Sequence, residues 1–132
     1  MQNGNFLFGC GAFDVLRYVN ATKESEKEKY GKRTKEWLAL FNYGTLPFYW
    51  GTYEPKEGDV RQTEMDKCVE FLTARGVTLK GHPLCWHTVC ADWLLSCDDK
   101  TIFEKQLERI NREVSHFKGK ITYWDVINET AI

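Results

Sequence analysis

Polar residues interrupt an apolar stretch in the segment YWDVINET at residues 123–130. Asn128 and Glu129 directly follow Val126 and Ile127, so an amide and a carboxylate lie where a buried strand would end. A carboxylate in such a position can exchange a proton with a bound ligand, and a neighbouring amide can hold a hydroxyl group. The pair predicts a catalytic acid or base at Glu129; a solvated strand end is the alternative.

The segment GHPLCWH at residues 81–87 carries a second set of side chains that could do chemistry. Gly81 allows the backbone to turn, and His82 follows a short apolar stretch. His82 and His87 could each bind a ligand or a backbone carbonyl, and Trp86 could wall a ligand site or belong to the core. The two segments become informative together if the fold brings their strand ends to one edge.

Strand-like and helix-like segments alternate along the chain and would position these residues. The strand-like segments are residues 5–9, residues 41–50 with a break at Pro47, residues 77–84 and residues 120–129. Helix-like spacing occurs within residues 21–41 and over residues 61–75, where Met65, Cys68, Val69 and Leu72 share one face. A third helix, capped by Asp98 or Asp99, has a predicted apolar stripe of Phe103, Leu107, Ile110, Val114 and Phe117. This alternation predicts an α/β fold with parallel strands.

Two architectures fit the alternation: an open doubly wound sheet and a closed (β/α)8 barrel of the TIM type. No glycine-rich phosphate-binding loop follows a strand, and polar residues gather where strands end, which favours the barrel. A whole barrel takes about 250 residues, whereas this sequence offers four strands and three helices. We therefore expect a half barrel, whose two open sheet edges would favour self-association.

The composition indicates a globular protein and excludes several partner classes. Of the 132 residues, 42% are apolar and 28% are charged, and the net charge is −1, so we expect neither nucleic acid nor a membrane surface as partner. No apolar run approaches the roughly 20 residues that span a bilayer, and the first residues do not resemble a signal peptide. The aromatic share of 14% suits a cleft that stacks on flat ligands or sugar rings.

The five cysteines do not predict a metal site or a complete set of disulfides. Their number is odd, and Cys85, His87, Cys90 and Cys97 could act as zinc ligands only without the second paired knuckle that structural zinc sites use. We expect free thiols, no metal and no cofactor.

The motifs resemble glycoside hydrolase family 10, the retaining endo-β-1,4-xylanases. KGHPLCWHTVCADWL and ITYWDVINET are similar to the family's G-H-[TP]-L-x-W-H and W-D-V-[VI]-N-E segments. FNYGTLPFYWGTYEPKEG resembles its second strand with the W-x-x-x-E-P-x-x-G loop, and FLFGCGAF resembles its first strand. The resemblance touches the whole chain and implies that residues 1–132 are the N-terminal half of a glycoside hydrolase catalytic domain.

The resemblance also implies roles for individual residues. Glu129 would be the acid/base, and Asn128 would bind the 2-hydroxyl of the sugar at the cleavage point. His82 and Trp86 would contact the same sugar. His87 would support this cluster from behind, and Trp124 would pack beneath the strand. The expected partner is therefore a polysaccharide, with xylan as first choice and other β-1,4-glycans as alternatives.

Two departures from the family pattern change these expectations. The family's E-N-x-x-K-W reads TLPFYW at residues 45–50, so an aromatic surface from Phe48, Tyr49 and Trp50 is expected to replace polar sugar contacts. Retaining hydrolysis needs a second carboxylate as nucleophile, and none of the other acidic residues lies in a matching context. We expect this chain alone to be inactive; a non-catalytic half barrel that binds β-glycans or self-associates is the alternative. A secreted or periplasmic location would suit a polymer substrate.

Overall fold

Four parallel strands form the sheet of this protein, in the order of the sequence. The fold is described from a computed structural model, over residues 5–130; residues 1–4 and 131–132 of the predicted domain lie outside the described part. The strands are β1 (Gly9–Gly11), β2 (Tyr43–Pro47), β3 (Thr78–His82) and β4 (Tyr123–Trp124). The longest pairing joins β2 to β3, from Tyr43 opposite Thr78 to Pro47 opposite His82.

Helices connect each strand to the next, as parallel pairing requires. They are α1 (Phe13–Asn20), α2 (Glu24–Leu40), α3 (Trp50–Tyr53), α4 (Gln62–Thr73) and α5 (Asp99–His116), with a 3₁₀ segment at Asp92–Ser96. None of the described helices has the length and apolar character needed to cross a membrane. Over the described residues, the architecture is three successive β/α units followed by a fourth strand, which corresponds to half of a (β/α)8 barrel, as predicted.

The two faces of the sheet differ in burial, and this difference places the core. Along β2 and β3 every second residue is buried, including Leu46 and Leu79, while Lys80 and His82 remain half-buried on the other face. The buried face packs against the helices through one continuous apolar cluster. The other face, which a closed barrel would enclose, therefore carries the polar side chains.

An aromatic group lies beneath the ends of β2, β3 and β4 on the helix side. The Trp124 ring centroid lies 4.9 Å from that of Phe48 and 6.4 Å from that of Phe117. A Cβ atom at Gly81 would collide with the Trp124 ring, so only glycine lets this indole lie flat under β3. Trp124 thus packs beneath Gly81 of β3.

The first strand lies later in the sequence than predicted. Residues 5–9 were expected to form it, but β1 begins at Gly9 and the side chains of Phe6 and Phe8 are exposed. The reason is the side chain of Asn42, which accepts a hydrogen bond from the Phe8 amide at 2.8 Å and donates one to the Phe6 carbonyl at 2.9 Å. A side-chain amide therefore satisfies backbone groups that a strand ladder would otherwise pair.

Several predicted elements are confirmed and others are corrected. The α4 face is buried as expected, and Asp98 caps α5 by accepting a hydrogen bond from the Thr101 amide at 2.8 Å. The helix α1 was not predicted. The apolar stripe of α5 is wrong in its first half, because Phe103 and Leu107 are 64% and 45% exposed. Charged residues occupy the buried face instead, as described below.

We predict that Gly81→Ala lowers the free energy of unfolding by about 1–3 kcal/mol, because the added methyl group overpacks the contact with Trp124. Urea unfolding followed by circular dichroism measures this change. Gly11→Ala is the matched control, since its added Cβ would meet only the half-exposed Phe13 ring at 3.3 Å. Equal losses in the two variants would contradict the proposed packing role of Gly81.

Candidate active site

Side chains from three strand ends meet on the polar side of the sheet. Tyr49 follows β2, His82 ends β3, and Trp86 lies in the loop after β3. The Tyr49 ring centroid lies 5.7 Å from the His82 ring and 5.7 Å from the Trp86 ring. Three of the predicted site residues thus form one contiguous wall of rings, and Glu129 completes the cluster.

Glu129 is held by an indole. The Nε1–H group of Trp86 donates a hydrogen bond to Glu129 Oε2 at 2.8 Å, although the two residues lie 43 positions apart. The backbone of Glu129 has φ of 51°, in the left-handed region that residues with a Cβ rarely adopt. Strained backbone of this kind costs of order 1–3 kcal/mol and is concentrated at functional sites. The exposed carboxylate is therefore held in a fixed direction at the mouth of the half barrel.

Backbone hydrogen bonds align the loop after β3 with the segment after β4. The Leu84 and Cys85 amides donate to the carbonyls of Asp125 and Val126 at 3.0 and 2.8 Å, and the Asn128 amide donates to the Cys85 carbonyl at 3.0 Å. A parallel bridge between Cys85 and Ile127 extends this pairing beyond the two strands. This pairing brings Trp86 next to Glu129.

An ionic cluster orients His82. Asp125 Oδ2 lies 2.7 Å from His82 Nδ1 and 2.7 Å from Lys80 Nζ. Partial burial alone would raise the pKa of Asp125, but the hydrogen bonds from Lys80 and His82 outweigh it and hold the pKa below its usual value. With Nδ1 engaged by Asp125, the Nε2 edge of the ring is the edge available to a ligand. Asp125 was not among the predicted site residues, although its alternation with Tyr123 and Ile127 along the strand indicates that it lies on this face.

The remaining predicted contacts lie at different depths. Asn128 is half-buried beside Glu129 in the chain, and His87 is exposed, with its ring centroid 6.3 Å from that of Trp86. Trp50 is only 6% exposed, donates its N–H to Glu54 Oε2 at 3.1 Å and packs edge-on against Trp93. Trp50 therefore has almost no surface for the sugar contact predicted at this position, so the exposed aromatic surface here comes from Tyr49.

A buried ionic network ties α5 to the loop after α3, and sequence reasoning missed it. Arg112 bonds to Glu54 Oε2 at 2.9 Å and to Glu113 Oε1 at 2.7 Å, and the Tyr53 hydroxyl donates to Glu113 Oε2 at 2.7 Å. Burial alone would raise the pKa of Glu54, yet hydrogen bonds from the Gly58 amide and Arg112 lower it overall. Burial together with Glu113 raises the pKa of Tyr53. Arg112 pairs with both carboxylates of this network, Glu54 and Glu113, so neither is free to take part in catalysis.

The cysteines form no disulfide, and all five are free thiols. Burial raises the pKa of Cys68 to about 12 and also raises that of Cys85. Over residues 5–130, no three His, Cys, Asp or Glu side chains lie close enough together to hold a metal ion. The thiols of Cys68 and Cys85 are therefore held in the neutral, weakly reactive form.

Comparison with known proteins identifies the family. The model of glycosyl hydrolase family 10 matches residues 18–131, which include every residue of the site described above. The chain belongs to glycosyl hydrolase family 10. The predicted resemblance is thus confirmed, and so is the barrel type of fold.

Three similar proteins illustrate the range of family 10 relatives. Anti-sigma-I factor RsgI6 of Acetivibrio thermocellus is 32% identical over 127 residues, which cover 95% of this chain. Endo-1,4-beta-xylanase 5 of Arabidopsis thaliana is 31% identical over 131 residues, or 96% of this chain. The crystal structure of xylanase 10B from Thermotoga petrophila in complex with xylobiose has a TM-score of 0.73 and 25% identity, and covers 95% of this chain.

The chain corresponds to only part of each of these proteins. It spans 16% of the anti-sigma factor, 21% of the plant xylanase and 36% of the xylanase 10B chain. The family model covers β2, β3, β4 and the cluster around Glu129. The activity of a whole family 10 enzyme is therefore a matter of proposal for this chain.

We predict that the stabilising contribution of Asp125 depends on pH. Because its folded pKa lies below its unfolded value of about 3.9, the contribution is complete above that value and is lost as pH falls through the folded pKa. Asp125→Asn should lower the free energy of unfolding by about 1 kcal/mol at neutral pH, a small amount because the pair is partly exposed to solvent. The difference should shrink below about pH 4.

Unfolding curves for both proteins across acid to neutral pH measure this dependence. Asp59→Asn, the same change at an exposed turn residue, is the control. A difference between wild type and Asp125→Asn that persists unchanged at low pH would count against the ionic role of Asp125.

Proposed function

We propose that this chain carries the acid/base half of the active site of a retaining endo-β-1,4-xylanase, an enzyme that hydrolyses internal β-1,4-xylosidic bonds in xylan. The observation that carries the proposal is the hydrogen bond from Trp86 to Glu129 at the mouth of a family 10 half barrel. It holds an exposed carboxylate in a fixed direction, which proton transfer to a bound sugar requires.

In the proposed reaction of the whole enzyme, Glu129 protonates the glycosidic oxygen while the bond from that oxygen to the anomeric carbon breaks and a second carboxylate, which these residues do not supply, forms a bond to the same carbon. Because Trp86 occupies Oε2, the transferred proton would reside on Oε1. Glu129 then removes a proton from the water that releases the sugar from the enzyme. Asn128 would hold the 2-hydroxyl group, and His82, whose Nδ1 is engaged by Asp125, would present Nε2 to the same sugar.

The wall of rings supports a sugar substrate. Tyr49 and Trp86 present aromatic surface beside Glu129, and the apolar faces of pyranose rings pack well on such surfaces. Leu46 in β2 and Phe48 just after it are fully buried, and Tyr49 is the half-buried residue beside the site. Stacking of sugar rings on Tyr49 and Trp86 would thus replace hydrogen bonds to sugar hydroxyl groups on this side of the site. Because hydrogen bonds discriminate one sugar from another, the protein should bind related β-1,4-glycans more readily than a polar cleft does. Xylan remains the proposed substrate, because xylanases stand among the relatives and one similar structure holds xylobiose.

In our proposal, the acidic residues of this chain do not supply the second carboxylate that a retaining mechanism needs. Retention takes two carboxyl groups about 5–5.5 Å apart. Glu54 and Glu113 are buried in ion pairs, and Asp125 is engaged by Lys80 and His82. We therefore expect the 132-residue chain to bind xylo-oligosaccharides without hydrolysing xylan. A location outside the cytoplasm, secreted or periplasmic, would bring it to such a polymer.

We predict that xylotriose binds the purified chain and shifts the indole NMR resonance of Trp86. Trp86→Ala should weaken binding about tenfold, which corresponds to about 1.4 kcal/mol of lost stacking and hydrogen bonding. Glu129→Gln should leave binding nearly unchanged, because Gln keeps an oxygen for the Trp86 hydrogen bond. Isothermal titration measures both affinities.

Three controls make this test decisive. Cellotriose tests whether the site prefers xylose units, and maltotriose tests whether it requires β-linkages. Trp93→Ala is the matched tryptophan variant, since Trp93 lies in a separate cluster with Trp50 and should not affect binding. Failure to bind any β-1,4-linked trisaccharide would refute the proposal, and hydrolysis of xylan by the wild-type chain that Glu129→Gln abolishes would refute the expected inactivity of the chain alone.

A second candidate function is a half barrel that binds β-glycans without cleaving them or associates with a second copy. A relative that matches 95% of this chain is named an anti-sigma-I factor rather than a hydrolase, which favours a binding role for the fold. The large solvent-exposed area of the chain favours association with a second copy. The chain exposes 8488 Å², whereas a self-contained monomer of this mass exposes about 7200 Å². The excess is larger than the roughly 800 Å² that each partner buries in a standard interface.

If the chain has this second function, we predict that it self-associates through the open edges of the sheet at β1 and β4. Sedimentation velocity over a range of concentrations should give a dimer, because Tyr123, Val126 and Ile127 are each more than a third exposed near the open β4 edge. Ile127→Lys should shift the equilibrium toward monomer, and Leu95→Lys, a change at an 80% exposed residue of the 3₁₀ segment, is the control. A monomer at all concentrations would rule out this association.

A further inference from the structure

Arg109 is a fully buried charged residue on α5 to which neither the sequence motifs nor the proposed reaction assigns a role. It is 1% exposed, and its guanidinium carbon lies 5.3 Å from the Trp50 ring centroid and 5.5 Å from that of Tyr53. Burial lowers the pKa of Arg109 to about 10, although nearby Glu113 raises it in part. Removing a guanidinium from water is costly, so the contacts of this side chain call for an explanation.

The guanidinium donates to the backbone at two strand ends. Arg109 Nε donates to the Leu84 carbonyl at 3.3 Å, and Nη2 donates to the Phe48 carbonyl. The ladder between β2 and β3 ends with the bond from the Phe48 amide to the His82 carbonyl at 2.7 Å. The two carbonyls lie just past this point, where no ladder pairs them. The planar Arg109 guanidinium, whose N–H donors point at fixed angles, therefore sets the distance between the loop after β2 and the loop after β3.

Those loops carry the ring wall of the active site. Tyr49 is the residue after Phe48, and Trp86 is two residues after Leu84. We propose that Arg109 is a positioning residue of the active site: by joining the two loops it keeps the Tyr49 and Trp86 rings in contact and directs the Trp86 N–H group to Glu129. The positioning role rests on geometry, and only its effect on sugar binding rests on the proposed function.

Ion pairing does not account for Arg109. Arg112 makes the ion pairs with Glu54 and Glu113, and among the described residues Arg109 lies within ion-pair distance of no carboxylate. One of its nitrogens, Nη1, has no hydrogen-bond partner in the described part of the chain. An apolar side chain of similar volume commonly stabilises such a position equally well. What an apolar residue would lose is the link between the Phe48 and Leu84 carbonyls.

The test follows the Trp86 indole N–H resonance in ¹H–¹⁵N NMR spectra of the whole chain, assigned with Trp86→Phe. Glu129→Gln defines how this resonance responds when the partner carboxylate is lost. Arg109→Lys keeps the charge but reaches at most one carbonyl, and Arg109→Met removes both contacts at similar volume. We expect both variants to displace the Trp86 resonance and to reduce its response to Glu129→Gln. Leu72→Ala, a destabilising change in the core of α4, should alter neither.

Each outcome decides the proposal. A Trp86 resonance and a Glu129→Gln response that stay at their wild-type values in both Arg109 variants would overturn it, and so would equal displacement in Leu72→Ala. If neither Arg109 variant folds, Gln106→Met decides, because Gln106 Nε2 is the other donor to the Leu84 carbonyl, at 3.1 Å. Because Arg109 then remains as the donor to the Leu84 carbonyl, an unchanged Trp86 resonance supports its positioning role, and a displaced resonance overturns that role.

Xylotriose titrations separate this inference from the proposed function. We expect Arg109→Lys to weaken binding about fivefold, close to 1 kcal/mol, while Leu72→Ala leaves the affinity of the folded protein unchanged. Displaced Trp86 resonances without any xylotriose binding to the wild-type chain would support the positioning role and refute the glycan proposal. Normal xylotriose affinity together with normal Trp86 spectra in the Arg109 variants would refute the positioning role alone.

Discussion

The parallel pairing of β2 with β3 is the constraint on which the rest of the molecule depends. Its five-residue register is longer than the pairing of β1 with β2 or of β3 with β4, and it sets Pro47 level with His82. After Pro47 and after His82 the chain continues in loops, and both loops therefore start at the same edge of the sheet. Tyr49 and Trp86 can meet only because both loops leave the sheet at one edge, and Glu129 is then reached through Trp86.

The helix side secures this edge with polar contacts as well as apolar packing. Trp124 lies flat under Gly81 and against Phe48, while α5 turns Arg109 and Glu113 toward the sheet. Each buried charge has its partner within the domain, either a carboxylate–arginine pair or a strand-end carbonyl. Interactions of this kind add little net stability, but they define one arrangement of the loops among several that apolar packing alone would permit.

Sequence reasoning found the parts of the fold that obey simple periodicity. The face of α4, the strand β3 and the Asp98 cap follow from spacing and residue type, and two motifs pointed to Glu129 as a candidate site residue. The missed features depend on contacts between distant residues. The side chain of Asn42 displaces β1, and the buried partners of Arg112 reverse the expected apolar face of α5. Trp50 looked like a sugar contact from its motif, yet a hydrogen bond to Glu54 holds it inside the protein.

The cluster of Lys80, Asp125 and His82 lies on a face that is still open to water, with side chains 27%, 35% and 21% exposed. In water a pair of unit charges at 4 Å attracts by about 1 kcal/mol, and near a covered protein surface by about 4 kcal/mol, with a desolvation cost set against the gain. Any segment that covers this face therefore changes the strength of the interaction that orients His82. By thermodynamic reciprocity, the orientation of His82 changes the affinity for that segment by the same factor. Covering this face and orienting His82 are then one coupled equilibrium.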